Sequence, residues 1–323
     1  MEFFKNDKTH DFMGKSKAFI ALSVTIILAS YFLIFTKGLN YGIDFTGGTI
    51  VQLQYKQAAP IPSIREALKT DESFASSIVT KFGSDEEVVI RIPTTSTSVA
   101  NDIGDKVRVL LKTTGDFEVR RVDMVGPKVG NELRIKGLEA MGFSILAILV
   151  YIALRFEWRF AVASIFALVH DVSIALGMIV LFQIDVNLDI LAALLTILGY
   201  SLNDTIIVFD RIRDGIKNSK TYELFTVINE SVTKTLARTT LTSLTTFFVV
   251  LTLFLFGGEI IHGFSFTMLI GVVVGTYSSI FVASPFLKWL GFDLKSFKAS
   301  EAKKAKARAE KDKMRAQFEG GVL

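Results

Sequence analysis

The sequence predicts a polytopic α-helical membrane protein with six transmembrane helices and one external ferredoxin-like α/β domain between helices 1 and 2. Three observations predict it. Half of the 323 residues are hydrophobic, with a mean hydropathy of +0.44. That apolar content is gathered into long blocks, where a soluble fold would scatter it at helix and strand periods. Between the first two blocks the pattern changes to short alternating segments.

The blocks run 18–36, 138–154, 160–182, 187–209, 237–256 and 263–287. Each is long enough to cross a hydrocarbon core of about 30 Å at about 1.5 Å per residue. The first, Ala18 to Thr36, carries no charge, follows Lys15 and Lys17, and is followed by no small-residue cleavage signature. It reads as an uncleaved anchor.

Charge sets the orientation. Segments 1–17, 155–159, 210–236 and 288–323 hold Lys5, Lys8, Lys15, Lys17, Arg155, Arg159, Arg211, Arg213, Lys217, Lys220, Lys234 and a basic tail. The short loops around Asp185–Asp189 and Gly257–His262 contain no Lys or Arg. The positive-inside rule therefore puts both termini in the cytoplasm and residues 37–137 outside, on the periplasmic side. The expected division is a cytoplasmic N-terminus (1–17), helix 1 (18–36), the external domain (37–137), helices 2–6 (138–287) and a cytoplasmic tail (288–323). That tail has helix-forming composition, and a solvated, partly disordered state is expected in preference to a lipid-bound one.

Within the external segment, Thr49–Tyr55 alternates like a strand and Pro62–Leu68 opens with a helix-start proline. Ser77–Phe82 and Glu86–Ile92 read as strands about a Gly83-Ser84-Asp85 turn. Val99–Leu111 has helical apolar spacing, and Phe117–Val125 is a last strand. The order βαββαβ is that of the ferredoxin-like motif, without an evident catalytic cleft. The glycine-rich entry from Gly42 to Gly48, with Asp44, Gly47 and Gly48, is expected to serve positive φ and close backbone approach. A phosphate cradle would need a strand–loop–helix order, which does not surround it.

Composition excludes several chemistries. There is no cysteine, so no disulfide framework or thiolate nucleophile. The three histidines, His10, His170 and His262, lack metal-ligand spacing, so no metal and no cofactor are expected. Gly14-Lys15-Ser16 looks like the end of a P-loop, but Thr9 stands where the upstream glycine belongs. The net charge of +4 is topological and implies no nucleic acid. The expected protein is not an enzyme.

Ionisable residues inside the blocks carry the functional signal, because each costs roughly 2.5–3.5 kcal/mol on insertion scales. Asp204 lies near the inner end of span four, on a face with Ile197, Tyr200, Ile207, Val208 and Arg211. It either works with protons or snorkels to the interface beside an arginine. Arg238 opens span five at similar depth, before a run of Thr239, Thr240, Thr242, Ser243, Thr245 and Thr246. An arginine that alternately pairs with and releases Asp204 would make a protonation switch; ordinary positive-inside anchoring is the alternative. His170 and Asp171, in mid-span three, read as a relay or as interhelical polar contacts, as do Asn203 and Thr242. Gly271 and Gly275 form a small-xxx-small packing face.

Taken together, several segments resemble the SecF branch of the SecD/SecF family of protein-export membrane subunits, within the resistance–nodulation–division superfamily. They are Gly42 to Gly48, Val125 to Leu133 with Gly126 and Pro127, His170-Asp171-Val172, Gly199 to Arg211, Thr235 to Thr239 with its hydroxyl run, and Gly275 to Ser279. The likeness covers residues 18–290. It implies a partner, SecD, and work beside the SecYEG translocon, with YajC as a further companion, on a translocating preprotein in the bacterial inner membrane and its lipids. It also implies use of proton motive force, with Asp204 as the intramembrane acid and Arg238 as its partner. Two other readings stand beside it: a half-exporter for small molecules or lipids, and an intramembrane aspartyl protease built on Asp171 and Asp204. The second lacks a Gly-x-Gly-Asp pattern before Asp204.

Overall fold

The structure, a computed structural model, describes residues 9–93, 100–218 and 223–319. Lys5, Lys8, Lys220 and Val99, used above for charge and periodicity, lie outside them. Helix α1 spans Ser16–Lys37; the Gly38 N–H closes its last turn on the Ile34 carbonyl at 3.0 Å, and the φ of 75° at Gly38 turns the chain out of the helix. A short helix α2 (Ile43–Thr46) leads into β1 (Gly48–Tyr55), α3 (Ile61–Lys69), β2 (Ile78–Phe82), β3 (Ser84–Ile92), α4 (Ala100–Leu110) and β4 (Phe117–Val125). There follow α5 (Pro127–Arg155), α6 (Trp158–Leu181), α7 (Leu188–Asn218), α8 (Leu224–Phe256) and α9 (Glu259–Ser278). A π-turn (Ser279–Ala283) joins α9 to α10 (Ser284–Trp289), and α11 runs Leu294–Glu319.

Among the described residues six helices are long and apolar enough to span a membrane: α1, α5, α6, α7, α8 and the continuous stretch Glu259–Trp289. Their packing is uneven. In α6, α7 and the sixth span half or more of the apolar window is buried; α1, α5 and α8 are mostly uncovered. The core between them includes Ile197, Leu198, Val208, Phe209 and Ile280. At the end away from the sheet, Phe160 lies edge-on to Phe209 and Phe292 at 5.0 and 5.3 Å. α1 buries only Ser16, Ser23 and Ser30, spaced by seven along one line. Small hydroxyl residues let helix backbones approach where lipid offers no hydrophobic drive between helices. Opposite Ser30 stands Gly177 of α6, where a Cβ would meet the Ser30 Oγ at 2.1 Å.

The π-turn has a local cause. Pro285 has no N–H to give the preceding turn, and its ring crowds the carbonyl four residues back. The helix widens just before it, and Ser284 Oγ donates to the Ser279 carbonyl at 2.9 Å.

The four strands form one antiparallel sheet in the order β2-β3-β1-β4. Alternation puts Val51, Leu53 and Tyr55 of β1 against Ile64, Leu68, Ile103 and Val107 from α3 and α4, while Ile50, Gln52 and Gln54 face the other way. The expected three-residue turn is tighter: Gly83 alone turns, at φ 74°, because Phe82 already pairs with Ser84. The tail differs more. It is the helix α11, started by Asp293, whose carboxylate accepts the Lys295 and Ser296 N–H groups at 3.1 Å each. Alanine-, lysine- and glutamate-rich sequence has the propensity to continue it.

The sheet is clasped to the helices at the α6–α7 connection. The Gly42 N–H donates to the Val186 carbonyl at 2.8 Å, and the Val186 N–H donates to the Asn40 carbonyl at 2.7 Å. Arg91 of β3 pairs with Asp185. Asp44 Oδ2 accepts the N–H of Leu188, the first residue of α7, at 3.0 Å, while Asn187 caps Ile190 at 2.9 Å. Gly47 (φ 76°) and Gly48 (φ 144°) complete the join. A Cβ on Gly47 would sit 2.7 Å from the Cα of Pro127, which with Gly126 opens α5.

Candidate functional site: carboxylates inside the helical bundle

Asp204 lies four turns along α7 from its clasped start. With Ile197, Ser201 and Val208 it belongs to the buried face, and it is 1% exposed. Arg211, also expected on that face, is exposed. Ser243 Oγ of α8 donates to Asp204 Oδ2 at 3.0 Å, and Thr276 Oγ1 of α9 lies 2.7 Å from Ser243 Oγ. Thus three helices meet at one carboxylate through hydroxyls. Hydroxyls can donate to the ionised acid or accept from the protonated one, so this shell accommodates either state.

The structure does not bring Arg238 to Asp204. Arg238 is exposed on α8, while Asp204 is bonded by the hydroxyls of Ser243 and Thr276. Asn203 is exposed on α7, and Thr242 is exposed with its hydroxyl returned to the Arg238 carbonyl at 3.1 Å. Among the described residues, the hydroxyls that reach Asp204 Oδ2 are those of Ser243 at 3.0 Å and Thr276 at 3.5 Å, neither singled out by itself in the sequence. Ser243 stood inside the hydroxyl run, and Thr276 inside the Gly275–Ser279 segment.

His170 and Asp171 are brought into a second buried cluster. His170 Nδ1 is 2.7 Å from Asp171 Oδ1, and His170 Nε2 is 3.0 Å from Ser23 Oγ of α1. Asp171 Oδ2 accepts from Ser201 Oγ of α7 at 2.5 Å and from Ser278 Oγ of α9 at 2.8 Å. Ser23 Oγ is 2.9 Å from Tyr277 Oη, which donates to the Phe19 carbonyl at 2.7 Å. Asp171 and Asp204 share no hydrogen-bond partner, as a proton-sharing aspartyl dyad requires. Of this cluster, Ser23 was missed by sequence reasoning; its signal is the seven-residue spacing of serines in α1.

Outside the spans, burial raises the Asp185 carboxyl above its ordinary range, and Arg91 opposes that rise. Among the described residues no group of three or more His, Asp or Glu could hold a metal ion. Asp44, Gly47, Gly48, Gly126 and Pro127 sit at the clasp, remote from both carboxylates along the chain.

Fold and site together define a multi-pass membrane protein whose bundle buries carboxylates among hydroxyls. A family model described as "Protein export membrane protein SecD/SecF, C-terminal" matches residues 106–293, and one for the "SecD/SecF GG Motif" matches residues 32–59. The chain belongs to the SecD/SecF family. It is 47% identical over 323 residues to the protein translocase subunit SecF of Helicobacter pylori strain J99, covering 100% of both chains. It is 46% identical over 290 residues to that of Calditerrivibrio nitroreducens, covering 88% of this chain and 95% of the relative. Among solved structures it is similar to SecDF, a translocon-associated membrane protein from Thermus thermophilus, with a TM-score of 0.81 and 34% identity. That match covers 90% of this chain and 40% of the longer SecDF chain.

Proposed function

We propose that this chain is the SecF-type auxiliary subunit of a bacterial Sec protein-translocation machine, without a catalytic reaction of its own. In this reading it pairs with SecD beside SecYEG, with YajC as a further companion. It spans the inner membrane with both termini in the cytoplasm, and proton motive force moves the external domain so that a preprotein is helped outward. Full-length identity to relatives named as translocase subunits supports the assignment. The strand order β2-β3-β1-β4 with two helices supports a ferredoxin-like domain, and the lysine- and arginine-free loops at its end of the bundle support its periplasmic position.

The observation that carries the proton-driven part is Asp204: an acid buried in a span, held by hydroxyls at the meeting of α7, α8 and α9, with no cation fixed on it among the described residues. A permanently paired carboxylate would be structural; a shell of hydroxyls accommodates this one with or without its proton. Arg238, Asn203 and Thr242 lie on the uncovered flank of α7 and α8. An arginine there is costly against lipid, so the SecD half is the natural cover, and a shift of that half would bring Arg238 toward the acid.

Asp204→Asn is expected to abolish the proton-dependent part of export while the subunit still assembles with SecD. The measurement is preprotein release from membrane vesicles with and without a proton gradient. Export that responds to the gradient equally in variant and parent would remove Asp204 from the mechanism.

A further inference from the structure

We propose that His170 and Asp171 form a second proton-binding site in the membrane, one that holds a proton in excess of a neutral histidine and an ionised aspartate. Two independent features of the cluster require that proton.

The first is the direction of its hydrogen bonds. Tyr277 has one hydroxyl proton, given to the Phe19 carbonyl at 2.7 Å. Its contact with Ser23 at 2.9 Å must then carry the Ser23 proton. With that proton committed, Ser23 Oγ can only accept from His170, so Nε2 at 3.0 Å bears a hydrogen. The 2.7 Å contact between Nδ1 and Asp171 Oδ1 still needs a hydrogen of its own, because two lone pairs facing each other would repel. The pair therefore holds two hydrogens: an imidazolium beside a carboxylate, or a neutral imidazole beside a carboxylic acid.

The second feature is charge. His170 is 3% exposed and Asp171 is fully buried. The groups facing Asp171 are His170 on its own helix, Ser201 from α7 and Ser278 from α9; Ser23 and Tyr277, from α1 and α9, face His170. Asp204 is turned to Ser243 and Thr276, and the Arg155 and Lys136 of α5 pair with Asp210 and Glu139. A neutral histidine beside an ionised aspartate would leave one uncompensated negative charge in the middle of a span. The extra proton makes the pair neutral overall.

Loss of the proton has a defined outcome. It leaves on a water molecule that must enter the bundle to accept it, one hydrogen stays on Nδ1 facing the carboxylate, and Nε2 is left bare. Ser23 must then turn its hydroxyl from Tyr277 to Nε2. Proton occupancy is thus read by α1, the helix that leads into the sheet domain, through a single serine.

The site's role in export rests on the proton-driven reading above; its proton content does not. The full chain in lipid vesicles, labelled with 15N-histidine, gives three histidine signals, and His10→Gln and His262→Gln variants assign the one from His170. At neutral pH, Nε2 of His170 is expected to be protonated, and to stay so in Asp204→Asn. Tyr277→Phe frees Ser23 to donate and is expected to yield a bare Nε2 in part of the population. A bare Nε2 in the parent protein, with the only hydrogen on Nδ1, overturns the site. An unchanged signal in a folded Tyr277→Phe protein overturns the Ser23 readout. Gradient-dependent export that persists in Asp204→Asn while Nε2 remains protonated would instead count against the role given to Asp204.

Discussion

Ser243 of α8 supplies the closer donor to Asp204, at 3.0 Å against 3.5 Å for Thr276 of α9, so the solvation of that acid leans on its hydroxyl. Ser243→Ala is expected to cost about 1–3 kcal/mol while the acid is ionised, the usual penalty for a buried polar group that loses its partner. Thermal melts of the purified protein, compared with Asp204→Asn carrying the same change, isolate that cost. At Asp185 the sign is opposite to that of an ordinary exposed carboxylate. Its folded-state pKa is raised by burial, so the folded form binds the proton more tightly than the unfolded one. Stability linked to Asp185 is present at low pH and is lost as pH rises through the folded value. The melting advantage of the parent over Asp185→Asn is therefore expected to shrink from acid to neutral pH; an advantage that grows would contradict it. Asp204, His170 and Asp171 were legible as residues because charge inside an apolar block stands out against its surroundings. Their partners were not, since a serine in a span is usually bonded to its own helix, as Thr242 is here.

Helix ends and helix faces separate cleanly in what sequence can carry. Apolar length sets the existence of each span, and Gly38, Gly126-Pro127 and Asp293 mark three boundaries by known end chemistry. Which helix touches which is decided by shape. Gly275 shows this: a Cβ there would lie 2.9 Å from the Ser201 Cβ and 3.2 Å from its Cα. The small-xxx-small spacing was visible, but that it brings α9 onto the residue donating to Asp171 was not. Gly275→Val is expected to push α7 from α9, costing about 1–3 kcal/mol as overpacking does and breaking the Ser201–Asp171 contact. Melting temperature reads the first effect and the His170 15N signal the second. The π-turn was equally hidden, although Pro285 was in plain view, because a proline in a span can kink, widen or end a helix.

Across the whole molecule, the sheet domain is fixed to the bundle by a connection between two helices, and that connection runs directly into α7. Its βαββαβ order was legible from alternation and turns; its seat on residues 183–188 needed the chain's three-dimensional return. Asp44→Ala is expected to remove about 1 kcal/mol of helix capping and to raise hydrogen exchange at Leu188 and the residues just after it, leaving the sheet core unchanged. Protection at Leu188 that survives the substitution would place the hold elsewhere, on Arg91 and Val186. The other attachment of the domain is α1, which buries a single row of serines, with Phe19 packed on Tyr277 and Phe281 and Tyr31 Oη 3.0 Å from Ser173 Oγ beside it. A rod seated on so narrow a strip resists sliding more than rolling. A few degrees of roll about that row work only against those flanking contacts, and at Gly38 they become a sideways swing of everything the helix carries.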